Sequence, residues 1–256
     1  MNKWRRWLEA LLFLLMLAAL FALGKRGFDT WKQKRQEEEL RELSRQQETM
    51  EETQQEIVIE EETEPPYESP IDFSALREIN PDIVAWVEIP GTRIDYPVVQ
   101  ADNNETYLHR SFEGEESSAG AIYLDCDSDS DFMGKHSILY GHHMKNGSMF
   151  AEIVKFKEKT FFQEHREVIL YLPDRELHLK TIAALYGDAS GEKRRTVFSD
   201  QESFNRYVDE MTKNCSFREL PEGDCEGLYS FVTCSYEFQN ARTILYAVRE
   251  EGADAE

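Results

Sequence analysis

Cys234 closes the apolar run Leu228-Tyr229-Ser230-Phe231-Val232-Thr233-Cys234, and after seven intervening residues Arg242 opens another, Thr243–Arg249. His142 and His143 follow a third run, Ser137–Gly141. If the last two runs pair as a hairpin, a thiol and a guanidinium meet at one rim, with an imidazole at another strand end. Those residue types suit nucleophilic acyl transfer. A thiol with an ordinary pKa of ~8.5 is mostly protonated at neutral pH, and an adjacent cation favours the thiolate that attacks a carbonyl. Arg stays protonated, so its role is to stabilise an oxyanion or hold a substrate carbonyl, whereas His can protonate a leaving amine and deprotonate the incoming nucleophile. By residue type alone, a small buried Cys and two polar loop histidines fit the same pattern.

Strand ends matter only if there are strands to carry them. From about Pro70 the chain breaks into short apolar runs punctuated by turn residues. Ile83–Ile89 reads as a strand and Pro90-Gly91-Thr92 as a turn. Arg93–Val99 sets Ile94, Tyr96 and Val98 on one face against Arg93, Asp95 and Pro97 on the other. Ala121–Asp125, Ser137–Gly141, Val168–Leu172, Leu177–Leu185, Leu228–Cys234 and Thr243–Arg249 bring the total to about eight strands, with a hairpin at Pro173-Asp174-Arg175. Two helices interrupt them, Ser148–Phe156 and Ser199–Asn214. In the second, Ser199 with Glu202 has the pattern of a capping box, and Phe204, Tyr207, Val208 and Met211 recur at helical spacing. Many short strands with few helices predict a mainly β fold closed, or nearly closed, as a barrel.

The chain has 256 residues, 41% of them hydrophobic, enough for one sizeable core. Acids outnumber bases 50 to 29, for a net charge of −21, which argues against a phosphate-tracking surface and hence against nucleic acid as a partner. The charge is unevenly placed. The first 35 residues carry eight bases against two acids, and between the bases runs Ala10 to Gly24 without a charge. As a helix that run covers ~22 Å at ~1.5 Å per residue. It is read as a membrane anchor with Trp4 and Trp7 at the interface, a cleaved signal peptide being the alternative. Three bases precede the run and five follow it, a count that slightly favours the orientation opposite to an external C-terminal domain. Residues 37–64 hold twelve Glu against two Arg, the composition of a solvated helical or disordered stalk. The expected organisation is a tail and anchor over 1–27, a stalk over 28–69 and a globular domain over 70–252.

Four stretches taken together resemble the class B sortases: INPDIVAWVEIPGTRIDYPVVQ (Ile79–Gln100), NNETYL (Asn103–Leu108), ILYGHHMKNGSMF (Ile138–Phe150) and FVTCSYEFQNAR (Phe231–Arg242). The likeness runs from about Phe73 to Arg249. It implies an eight-stranded sortase-type β-barrel with accessory helices, preceded by a transmembrane helix. The implied activity is that of a membrane-anchored cysteine transpeptidase of Gram-positive bacteria, acting on the external side of the cell membrane. By motif, His142, Cys234 and Arg242 take the catalytic places, with His143 a neighbour, and Asn104 and Leu108 fall on the segment near the substrate groove. Implied partners are secreted proteins carrying a C-terminal sorting signal, similar to Asn-Pro-x-Thr-Asn or another Pro-x-Thr motif, and a peptidoglycan amine. No cofactor or metal is implied. Val232 departs from the pattern, since many members carry Ser or Thr two residues before the nucleophile. A plain cysteine protease and a non-catalytic wall-binding domain remain as alternatives.

Other clusters fit less well. Asp125, Asp127, Asp129 and Asp131 alternate, but in an EF-hand register begun at Asp125 the positions of the Gly and the bidentate Glu fall on Ser130 and His136, so a solvated acidic loop is expected. His136, His142 and His143 match no zinc spacing. No Cys-x-x-Cys pair occurs, and whether Cys215 and Cys225, separated by nine residues, form a disulfide is left open by the sequence.

Overall fold

The computed structural model describes residues 16, 24–25, 27–28, 31–42, 67–188, 194–221, 223–234 and 241–249, with Asp188, Cys234 and Ala241 described by their backbone. Most of the expected anchor and much of the stalk lie outside the described residues. Among the described residues no helix is long and apolar enough to cross a membrane. The chain divides into two compact units, Met1–Leu43 and Ser44–Glu256. In the first, residues 31–42 are helical, with Gln33–Glu37 and Lys34–Glu38 pairs at the four-residue spacing that supports an exposed helix.

The second unit closes eight strands into a barrel. They are β1 (Ile83–Glu88), β2 (Asp95–Val99), β3 (Ile122–Leu124), β4 (His136–Gly141), β5 (Glu167–Tyr171), β6 (Glu176–Asp188), β7 (Leu228–Cys234) and β8 (Ala241–Arg249), arranged β1-β2-β3-β4-β7-β8-β6-β5. β2–β3 and β4–β7 pair in parallel and the other neighbours antiparallel. Helices α1 (Phe73–Ile79), α2 (Lys159–Glu164) and α3 (Gln201–Thr212), with a 3-10 helix over Phe150–Lys157, complete the unit.

Side-chain alternation explains why β7 and β8 read as nearly continuous apolar runs. Tyr229, Phe231, Leu245 and Ala247 join the barrel interior, while Leu228, Ile244, Tyr246 and Val248 join a second cluster with Phe204, Tyr207 and Val208 of α3. Both faces of the sheet are covered here, as the parallel β4–β7 pair requires. Val232 belongs on this outer side, packed partly buried against the same cluster.

The expected strands are all present, with ends shifted by up to three residues. On β2 the side expected to be polar buries Pro97, and Val99 on the same side is buried as well. The helices differ more. The helix expected over Ser148–Phe156 is present as a 3-10 helix over Phe150–Lys157, whose Phe150, Ile153 and Phe156 plug the barrel. α1 and α2, too short to show a period, were not expected. The cap of α3 is one residue later than expected: Asp200 accepts from the Ser203 amide at 2.7 Å, and the Ser203 hydroxyl answers the Asp200 amide at 3.4 Å. A carboxylate is the better acceptor for these orphan amides, so Asp200 takes the place expected of Ser199.

His136, at the start of β4, is sealed between β7 and the segment before α3. Its Nδ1 donates to the Arg195 carbonyl at 2.8 Å, which leaves Nε2 to accept from the Ser230 hydroxyl at 2.7 Å. Burial depresses its pKa to about 4, against smaller opposing effects from the Arg195 carbonyl and Asp125. With a pKa of ~6.5 when unfolded, the unfolded chain binds the extra proton first as pH falls. The contribution of His136 is therefore complete above pH ~6.5 and is lost toward about 4, a decrease on the order of 3 kcal/mol. Denaturant unfolding across that window should show the fall in stability, and His136→Gln should flatten it; an equally steep curve in the variant would assign the effect elsewhere.

Candidate active site

The register of three strands places the expected catalytic residues. β7 and β8 pair so that Cys234 lies opposite Arg242, and the parallel β4–β7 pair ends with Gly141 opposite Thr233. One further step along β4 sets His142 level with Cys234. Neighbouring strands lie ~4.8 Å apart, so the backbones of the three residues line one rim in the order His142, Cys234, Arg242. Arg242 and His142 are both half-buried.

The sequence before His142 is dictated by crowding. A Cβ on Gly141 would stand 2.5 Å from Ile122 Cδ1 and 2.7 Å from the Phe150 ring, so only glycine lets β4 turn out of the barrel here. The Phe150 amide then donates to the His142 carbonyl at 3.1 Å, tying that residue to the start of the 3-10 helix. The imidazole Nε2 lies 2.8 Å from the Leu108 carbonyl. A carbonyl only accepts, so Nε2 carries the hydrogen and Nδ1 is the basic nitrogen of the neutral ring. Gly120, at φ +61, packs under both: a Cβ there would lie 2.9 Å from the Leu108 oxygen and 3.2 Å from His142 Cδ2.

Leu108 is held in turn by its own segment. Asn103 Oδ1 accepts from the amides of Glu105 and Thr106 at 2.9 Å, forming the local turn. Tyr107 donates to Asp82 at 2.7 Å and accepts from Asn80 at 2.8 Å, and burial together with the Asp82 contact pushes its pKa up to about 12. Asn104 Nδ2 donates to Asp125 at 3.1 Å, while its Oδ1 accepts from the Cys126 amide at 3.0 Å. Thus the two stretches INPD and NNETYL meet, and their polar side chains fix the carbonyl that orients His142.

Asp125 departs from the sequence expectation. It is fully buried, whereas Asp127, Asp129 and Asp131 are exposed and fit a solvated loop. Asp125, Cys126 and Asp127 place ligand-type atoms within 4.8 Å of one another, but the Arg194 guanidinium fills that position, at 2.5 and 2.9 Å from the Asp125 oxygens and 2.8 Å from Asp127. His136 is six steps from His142 along β4, ~20 Å away, with both nitrogens engaged, so the three histidines form no metal cluster. Cys215 and Cys225 do not form the disulfide that the sequence left open. Both pack in or against the cluster under α3, whose apolar contacts account for them.

No family model matches the chain. Two curated proteins do: Sortase B of Listeria monocytogenes, 42% identical over 90 residues, and Sortase B of Staphylococcus aureus, 28% identical over 141 residues. The matches cover 35% and 55% of this chain and 37% and 58% of those relatives. The crystal structure of Clostridium perfringens sortase B superposes with a TM-score of 0.66 and 31% identity, over 70% of this chain and 99% of that one. The chain belongs to the class B sortases. Within that family assignment, sequence pattern alone located the strand ends but not the contacts of Asp125 with Tyr140 and Arg194, of Tyr107 with Asp82, or of Gly120 with the Leu108 carbonyl and the His142 ring. A polar residue ending the apolar run Ala121–Leu124 was the one signal available for Asp125. Arg194, 69 residues further on, gave none.

Gly120→Ala should strain a positive φ and push on the Leu108 carbonyl and His142 ring together. The expected cost is about 1–3 kcal/mol in thermal unfolding, with displaced His142 ring resonances by NMR. Unchanged resonances would separate Gly120 from the orientation of His142.

Proposed function

We propose that this class B sortase is a cysteine transpeptidase that cleaves a C-terminal sorting signal after Thr and transfers the acyl group to a peptidoglycan amine. The observation that carries the reading is the shared rim set by the β4–β7 and β7–β8 registers, where His142, Cys234 and Arg242 stand side by side. The Cys234 thiolate attacks the Thr carbonyl, and the oxygen that gains charge in the tetrahedral intermediate is stabilised by the Arg242 guanidinium. His142 takes the Cys234 thiol proton on Nδ1, since Nε2 is held by Leu108, and gives that proton to the leaving amine as the C–N bond breaks, so that a thioester remains. The incoming amine loses its proton to His142, attacks the thioester and releases Cys234 as the new amide forms. All the groups needed for these steps are side chains.

The proposed peptide is similar to Asn-Pro-x-Thr-Asn or a related Pro-x-Thr motif, bordered by Asn104 and Leu108 on the segment that reaches His142. Leu108 is half-buried, and Val232, which packs against the cluster under α3, stands where a hydroxyl is common in the family. The apolar run Ala10–Gly24 serves as the anchor, with the acidic stalk setting the catalytic unit off the external face of the cell membrane.

Incubating the full chain with a sorting-signal peptide and a primary amine should give an amine-ligated product and, by mass spectrometry, an acyl adduct on Cys234. Hydrolysis unaffected by saturating amine would instead indicate a protease. Cys234→Ala should abolish the adduct and all cleavage, and wild-type turnover in that variant would remove Cys234 as nucleophile. Arg242→Lys keeps the charge but loses the planar fork, so kcat/KM should fall by about 10²-fold. An unchanged value would take Arg242 out of the mechanism.

A further inference from the structure

Asp125 directly follows β3, outside the catalytic rim, and its carboxylate is fully buried among donors. Its two oxygens accept from Arg194 Nε and Nη2, from the Tyr140 hydroxyl at 2.8 Å, from Asn104 Nδ2 at 3.1 Å and from the Asp127 amide at 2.9 Å. Two of these partners lead to His142. Tyr140 is on β4, two residues before His142, on the strand that leads into it. Asn104 begins the short segment whose Leu108 carbonyl holds the His142 Nε2.

We propose that Asp125 is a positioning residue for His142: its buried carboxylate gathers Tyr140, Asn104 and Arg194 and so fixes both the strand that delivers the histidine and the loop that orients its ring. The inference rests on the transpeptidase reading above for its kinetic consequences.

The charge of Asp125 is what makes the arrangement hold. A lone buried carboxylate would take up a proton and lose acceptor capacity. Burial alone would raise its pKa, but the bonds from Arg194, the Asp127 amide and Tyr140 outweigh that effect and keep it below the ordinary value. Arg194 is half-exposed and comes from the connection between β6 and β7, so one bidentate pair brings a segment distant in sequence against β3. Tyr140, half-buried against the same carboxylate, is pushed well above the usual phenol range by desolvation and by the Asp125 charge, and stays a donor. Every hydrogen bond thus runs toward Asp125, and removing its charge weakens all of them together.

The full chain carrying Asp125→Asn tests this, since the amide keeps the shape and discards the charge. Peptide cleavage should show kcat reduced by about 10- to 100-fold with KM within about twofold, and a displaced limb in the pH dependence of kcat. Tyr140→Phe cuts a single arm and guards against misfolding of the first variant; its kcat should fall several-fold in the same direction. The His142 ring resonances should move in both variants, a readout independent of turnover. A rise in KM alone, a kcat loss that disappears once corrected for the folded fraction, or unchanged His142 resonances in the folded variants would overturn the proposal. A wild-type chain that never acylates Cys234 would overturn the transpeptidase reading instead, and the resonances would still decide the role of Asp125.

Discussion

The parallel pairing of β4 with β7 is the constraint on which the site depends. In a parallel pair the C-terminal ends of both strands finish on the same side, so Gly141 and Thr233 close the ladder together and the residues that follow them emerge side by side. The antiparallel partner β8 begins where β7 ends, which adds Arg242 to that edge. A parallel pair also needs a long crossover, and the chain between β4 and β7 uses it fully. The 3-10 helix plugs the barrel, β5 and β6 complete the wall, and α3 seals the outer face. The same connection supplies Arg194 and the Arg195 carbonyl, one bound to Asp125 and the other to His136.

A second constraint is the satisfaction of buried polar groups. Asp125 and His136 are both sealed from water, and each is tolerated because its hydrogen-bonding capacity is met. They solve the problem in opposite ways. Asp125 stays charged, surrounded by donors and a guanidinium, whereas His136 stays neutral between a carbonyl acceptor and a hydroxyl donor. The segment of Arg194 and Arg195 takes part in both, so the edge of the β6–β7 connection is fastened by one ionic and one neutral contact.

Much of the barrel was legible from local pattern. The alternation of Ile94, Tyr96 and Val98 and the apolar runs ending at Gly141 and Cys234 mark strands because side-chain burial has a period of two. The elements missed were short: α1 and α2 lack the length over which a helical period becomes visible. The acidic stretch after β3 was misread at Asp125 for a different reason. Its solvation depends on a residue 69 positions away, and no local pattern encodes that distance.

By itself the sequence determined which residue types stand at the ends of which strands: a His after Gly141, a Cys closing β7 and an Arg opening β8. It did so because strand length, turn chemistry and hydrophobic alternation are local properties. Only the tertiary structure decided that these ends share one rim, that His142 donates through Nε2 to Leu108, and that Asp125 is a buried hub instead of a solvated loop acid. Strand order, ring orientation and burial are fixed by partners far apart in the chain, and those partners exist only once the barrel has closed.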